Sequence, residues 1–204
     1  MKNLLIVLAL SFSSLAMSAG FTDLEKVAVN TTESKLVWLG KKVTGEHTGE
    51  IKLSKGHLNF KGDTLTGGEF EIDMTTITNT DITDKEYHGK FITHINSDDF
   101  FGTEKFKTAT LKIKSAKKAK SGKYNIIADL TIKGKTAPVK FEAEATKEKA
   151  SATVVFDRTK YGIKFKSGKF DPGLGDKLIY DDVKLTVNLV GAPVNTPAPA
   201  GAHK

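Results

Sequence analysis

The five histidines and the single arginine of this 204-residue sequence decide what chemistry it can do, and their spacing excludes most of it. His47, His57, His88, His94 and His203 include no pair at i, i+2 or i, i+4 that would aim two rings at one metal ion. Asn79, Asp81 and Thr83 have the opening spacing of a calcium loop. Asp84 then stands where that loop needs glycine, and Lys90 where it needs a bidentate glutamate. Gly62 and Gly67 have the outer spacing of a phosphate loop, but Gly68-Glu69 follows in place of the lysine and hydroxyl that would hold the phosphates. There is no cysteine nucleophile and no Gly-x-Ser-x-Gly elbow. The expectation is a protein without a catalytic constellation, metal site or cofactor, and not an enzyme.

Arg158 stands apart as the one arginine among 31 basic side chains, separated only by Asp157 from the preceding apolar run Val154-Val155-Phe156. A planar five-donor fork in a chain that otherwise uses lysine suits a multiply bonded position in a partly dry place. Two roles remain open for it: an ion pair closing one end of the fold, with Asp99, Asp176 or Asp182, or a contact to a ligand head group. The aromatic residues are also unevenly placed. Trp38 is in step with Leu36, Phe70 with Ile72 and Met74, and Phe100-Phe101 precede Phe106. Each alone is ordinary core packing; together they are compatible with a wide, adaptable apolar interior.

The elements that must position these groups are strands. In residues 122–146, Tyr124, Ile126, Ala128, Leu130 and Ile132 fall on one face, as do Val139, Phe141, Ala143 and Ala145 on the next arm. Asn125, Asp129, Thr131, Lys140, Glu142 and Glu144 fall on the other. That period of two defines half-buried antiparallel strands with one dry and one wet wall. Strands are expected near 33–44, 48–60 (as a hairpin through Ser54 to Gly56), 66–76, 104–116, 122–133, 136–146, 150–166 and 177–190. Turn signals at Lys61-Gly62-Asp63, Ser121-Gly122, Gly134 and Asp171-Pro172-Gly173 separate several of them. Only residues 81–96 could hold a helix, and Gly89 interrupts it. The fold class is therefore all-β: an eight-stranded antiparallel lipocalin-like barrel with one short helical or irregular segment. A barrel of that size has an interior that side chains can just fill or that can hold one small ligand.

The ends and the charge fix the setting. Residues 1–19 combine Lys2, an apolar run from Leu4 to Leu15 too short to span a bilayer, and small residues at Ala16 and Ser18. They read as a signal peptide, with the mature chain starting near Ala19 or Gly20 and located in the periplasm or secreted. Residues 20–31 read as a lead-in, 32–190 as one domain of roughly 160 residues, and 191–204, rich in proline and small residues, as a disordered tail. Without cysteine the domain must be held by its core. The net charge of +7 is spread along wet strand faces, and its one dense cluster, Lys117, Lys118, Lys120 and Lys123, surrounds an expected hairpin turn. The aromatics lie on the opposite face, which excludes the interleaved basic and aromatic stripe of a nucleic-acid site.

Several short motifs then line up in order: His94-Ile95 before Asp99-Phe100-Phe101, Lys105-Phe106, and Ala109-Thr110-Leu111. Gly122-Lys123-Tyr124 and Asp129-Leu130-Thr131-Ile132-Lys133-Gly134 follow, with Thr136 and Pro138-Val139, and then Asp157-Arg158-Thr159 with Tyr161-Gly162-Ile163. Over about residues 32–190 the chain resembles the YceI-like family of polyisoprenoid-binding, lipocalin-like proteins. It differs in Lys107, where members often have proline, and in Ser34-Lys35 at the first strand. The resemblance implies an eight-stranded barrel that holds a long apolar ligand, here an exported carrier of a polyprenol-like or quinone-like lipid. Trp38, Phe70, Ile72, Met74, Phe101, Leu130, Phe141 and Phe156 are the expected lining, with Arg158 and His94 near its polar end. The expected partner is a long-chain isoprenoid or other amphiphilic lipid and not a nucleic acid, with peripheral membrane contact and a homodimer both open. The alternative is a non-enzymatic interaction or stress-related envelope protein whose barrel is filled by side chains.

Overall fold

The structure, a computed structural model, describes residues 23–192. The signal segment 1–19 and all but the first two residues of the expected tail lie outside them. The strands are β1 (Leu24–Ala28), β2 (Lys35–Lys42), β3 (Gly45–Lys61), β4 (Thr64–Asp73), β5 (Thr108–Lys118), β6 (Tyr124–Ile132), β7 (Lys135–Ala145), β8 (Lys149–Asp157) and β9 (Ile179–Val190). A helix, α1 (Lys85–Asn96), stands between β4 and β5. All neighbours are antiparallel in the order β3-β2-β9-β8-β7-β6-β5-β4, and β4 pairs back onto β3, so eight strands close a barrel.

β3 is the long stave. Its first part pairs with β2, from Lys42↔Gly45 to Leu36↔Ile51, and its last five residues pair with β1, from Ala28↔His57 to Leu24↔Lys61. β1 and β2 thus occupy one position in turn along the same strand. β1 falls in the segment expected as a lead-in, because Leu24 to Ala28 carries too little alternation to be read without its partner. The hairpin expected through Ser54 to Gly56 is absent. β3 runs through those residues with a register shift between Leu53 and Lys55, so the polar Ser-Lys-Gly stretch is a bulge. Gly56 is needed for close approach, since a Cβ there would stand 2.7 Å from the Phe70 ring.

Three expected strands are shorter than their patterns. β4 ends at Asp73, whose carboxylate accepts from the Thr75 amide and starts a 3-10 turn, Met74–Thr76. β8 ends at Asp157 for the same reason, its side chain accepting from Thr159 N before the turn Arg158–Tyr161. β5 begins only at Thr108, after an irregular connection from the helix. α1 forms despite Gly89: Asp84 caps it by accepting from Tyr87 N at 2.7 Å, and Phe91 and Ile95, one turn apart, give it an apolar stripe to bury.

Candidate functional site

The inward faces of the strands pack into one apolar core that leaves two small spaces. Two stacked cavities, of about 70 Å³ and about 130 Å³, share Ile72, Leu111, Val154 and Leu185 as a common waist. The exposed lining of both is carbon throughout.

The smaller space ends at a plug made by β3, the β3–β4 turn and β6. Phe60, Leu65 and Tyr124 are fully buried there, and the Tyr124 hydroxyl accepts from Leu65 N at 3.2 Å and donates to Asp63 O at 3.4 Å. The larger space lies under α1 and the connection that follows it. Trp38 stacks on Phe91 of the helix, centroids 6.3 Å apart, and its indole N–H donates to Thr78 O at 3.0 Å. The strap that supplies this carbonyl runs beside β3 beyond the end of β4: Thr78 N donates to Glu50 O and Thr80 N to Thr48 O. Asp81 pins the strap by accepting from Thr48 N and Asn79 Nδ2, with its other oxygen 2.7 Å from His47 Nδ1. Asn79 and Asp81, two of the three residues that match the opening of a calcium loop, are thus occupied in holding the strap. Burial alone would raise the Asp81 carboxyl, but the bonds from Thr48, His47 and Asn79 outweigh it and hold it below its ordinary value.

The expected lining residues fall in both spaces. Trp38, Met74, Phe101, Leu130 and Phe156 border the larger, Phe70 and Phe141 the smaller, and Ile72 the waist. The two polar expectations fare differently. Arg158 borders the larger space but is only 2% exposed, and its fork is committed to the protein. Nε donates to Tyr180 O (3.2 Å), one terminal nitrogen to Ile163 O (3.0 Å) and the other to Ile179 O (2.9 Å). Its ionic partner is Asp181, at 3.4 Å, and not Asp99, Asp176 or Asp182. Lys169 bridges Asp181 at 3.3 Å to Asp157 at 2.7 Å, which completes a four-charge corner between β8 and β9. Arg158 is therefore a staple of the barrel corner, where three carbonyls leave it little capacity for a head group.

His94 is not at the interior. It lies about 100° around α1 from the buried Ile95, edge-on to Phe165 (4.5 Å) and Phe100 (5.1 Å), with Asp99 3.5 Å away. It joins the helix to the 158–178 segment. A residue not singled out for the site, Lys133, does shape it. Its ammonium donates to Asp98 O and Phe100 O, both at 2.7 Å, and so fixes the connection that sets Phe101 over the larger space. Burial lowers its pKa. The readable signal is Lys133-Gly134, both at positive φ, a tight turn that aims this side chain past the barrel rim. Among the described residues no group of three or more His, Asp or Glu could hold a metal ion.

Fold and interior together define a class, the up-and-down antiparallel barrels that enclose an apolar space. The model of the YceI-like domain matches residues 28–191, and the chain belongs to that family. Among solved structures it is similar to Burkholderia cenocepacia BcnA, at 20% identity and a TM-score of 0.64, over 80% of this chain and 99% of that one. It is also similar to a polyisoprenoid binding domain from Saccharophagus degradans, at 16% identity and a TM-score of 0.56, over 84% of this chain and 100% of that one. No curated protein matches the chain.

Proposed function

We propose that this protein is an exported carrier that sequesters one long-chain isoprenoid-type lipid, polyprenol-like or quinone-like, in its barrel. The observation that carries this reading is the column of two wholly apolar spaces stacked on either side of the waist at Ile72, Leu111, Val154 and Leu185. Strands of nine to twelve residues, such as β6 and β9, tilted in a barrel, enclose a length of roughly 25–30 Å, which suits an extended chain better than a compact ligand. Each methylene that leaves water for the column contributes about 0.8 kcal/mol, so affinity grows with chain length. The polyisoprenoid binding of the Saccharophagus domain supports the ligand class. The committed guanidinium of Arg158 supports recognition of the tail in preference to a charged head group.

Export rests on residues 1–19, and the basic exterior would favour brief contact with an anionic membrane surface during loading. The test is to express the full chain, purify it from the envelope fraction without detergent, and analyse organic extracts by mass spectrometry. A stoichiometric isoprenoid together with a mature N-terminus near Ala19 or Gly20 supports the reading. An empty barrel that also shows no saturable binding of a fluorescent polyprenyl probe rejects it.

A further inference from the structure

A long chain needs a way into this column, and neither end offers a wide mouth. One is plugged by Phe60, Leu65 and Tyr124, the other covered by α1, Phe100, Phe101 and the Arg158 corner. The wall differs around its circumference. β6 and β7 are joined by nine registered pairs, and β8 and β9 by nine. β7 and β8 are joined by three: Ala143↔Ala152, Glu144↔Ser151 and Ala145↔Ala150. Beyond them Lys135–Phe141 and Val154–Asp157 run on opposite sides of the seam with no registered pair, although both segments are paired on their other sides, with β6 and β9.

Two sequence features fit an open seam. Pro138 sits within β7, and a residue with no N–H is tolerated in a strand only where one side lacks a ladder. Five of the six residues in the paired stretch, Ala143, Ala145, Ala150, Ser151 and Ala152, have small side chains. Ala143, Ser151, Ala152 and Val187 border both the smaller interior space and a groove on the outer surface, so the wall there is one residue thick. Past the ladder the seam is closed by buried apolar side chains, among them Val139, Val154 and Phe156, which can part and close again without losing strand pairing.

We propose that the β7–β8 seam is a lateral gate, through which an extended apolar chain enters and leaves the column sideways instead of threading through an end. This rests on the reading of the column as a lipid site. Because the chain has no cysteine, Lys140→Cys with Val155→Cys, two exposed positions that the register of the ladder, continued, sets opposite each other across the seam, can be bridged by a short cleavable thiol crosslinker. The control pair is Lys112→Cys with Asp129→Cys, registered partners in the β5–β6 ladder. Stopped-flow uptake and release of a fluorescent polyprenyl probe are compared before crosslinking, after it, and after reduction. The gate predicts that crosslinking the seam slows both rates about tenfold or more, that reduction restores them, and that the control pair changes neither. Unchanged rates in a crosslinked seam that still binds probe overturn the gate alone; absence of binding before crosslinking overturns the gate together with the lipid reading.

A second measurement needs no bridge. Val139→Cys, buried beside the seam, is expected to react with a thiol reagent about tenfold faster than Ala128→Cys, buried in the fully paired β6, and to be protected by bound probe. Equal reactivity of the two thiols would also overturn the proposal.

Discussion

Replacing Arg158 with methionine isolates what the barrel corner is worth. The substitution keeps the length of an apolar stem and removes a guanidinium that donates to three carbonyls and faces Asp181. Asp181 Oδ1 is buried and has no hydrogen-bond partner, so without the arginine it keeps its charge in a dry place with only Lys169 nearby on its other oxygen. Breaking a buried pair by removing one member costs about 3–5 kcal/mol, and the three stranded carbonyls place this case at the upper end of that range. For a chain of this size each kcal/mol moves the midpoint by roughly 2–4 °C, so thermal unfolding followed by circular dichroism should show a fall of about 6–20 °C. Arg158→Lys should lose about half as much, because an ammonium cannot reach all three carbonyls in one plane. Probe affinity, measured well below the lowered midpoint, should change by less than about threefold, since the fork is turned to the protein. A methionine variant that melts within about 2 °C of the parent, or one that keeps its stability and loses binding, would refute this account of the corner.

Tyr161 offers the opposite sign: its hydroxyl is buried with no partner, so Tyr161→Phe should leave urea stability unchanged or raise it by up to about 1 kcal/mol. Burial, with Asp157 nearby, pushes the Tyr161 phenol up to about 12, so the stability held by its neutral form is present below about pH 10 and lost as pH rises toward 12. Alkaline unfolding should therefore start earlier in the parent than in Tyr161→Phe. On the acid side, burial would raise the Asp157 carboxyl, but the bonds from Lys169 and Thr159 outweigh it and hold it low. Its contribution is fully present above the unfolded value near 3.9 and lost as pH falls through the lower folded value, so urea midpoints should drop below about pH 4, less steeply in Asp157→Asn. Leu185→Trp at the waist should divide the column, weakening a long polyprenyl probe at least about tenfold in a fluorescence titration while sparing a short one, at an overpacking cost of about 1–3 kcal/mol.

How much of this was legible depends on whether a residue's neighbours are local. The alternation from Tyr124 to Ile132 names its own dry face, and the structure buries those five residues. The lining side chains followed from the same period, because in a strand the parity of a position fixes its wall. β1 was hidden because it is a strand only by virtue of the long β3 beside it. Ser54-Lys55-Gly56 read as a turn because a bulge uses the same residue types as a turn, and only the Phe70 ring against Gly56 tells them apart. Arg158 was visible as unusual but its partners were not: backbone carbonyls at 163, 179 and 180 leave no mark on side-chain identity. His94 was misplaced because a position next to Ile95 in sequence lies well around a helix from it in space. The missing β7–β8 pairs left one trace, Pro138.

The last strand of the described chain is also the one that closes the circle. β9 pairs with β8 before it and with β2, Lys35 opposite Asn188, so two strands made early and late wait for the same partner. During synthesis the first eight strands can form only an open sheet, with the edges of β2 and β8 bare until residues 179–190 leave the ribosome. Closure is then a long-range event, slow by its topology, and a chain cut short before β9 would expose two adhesive edges at once.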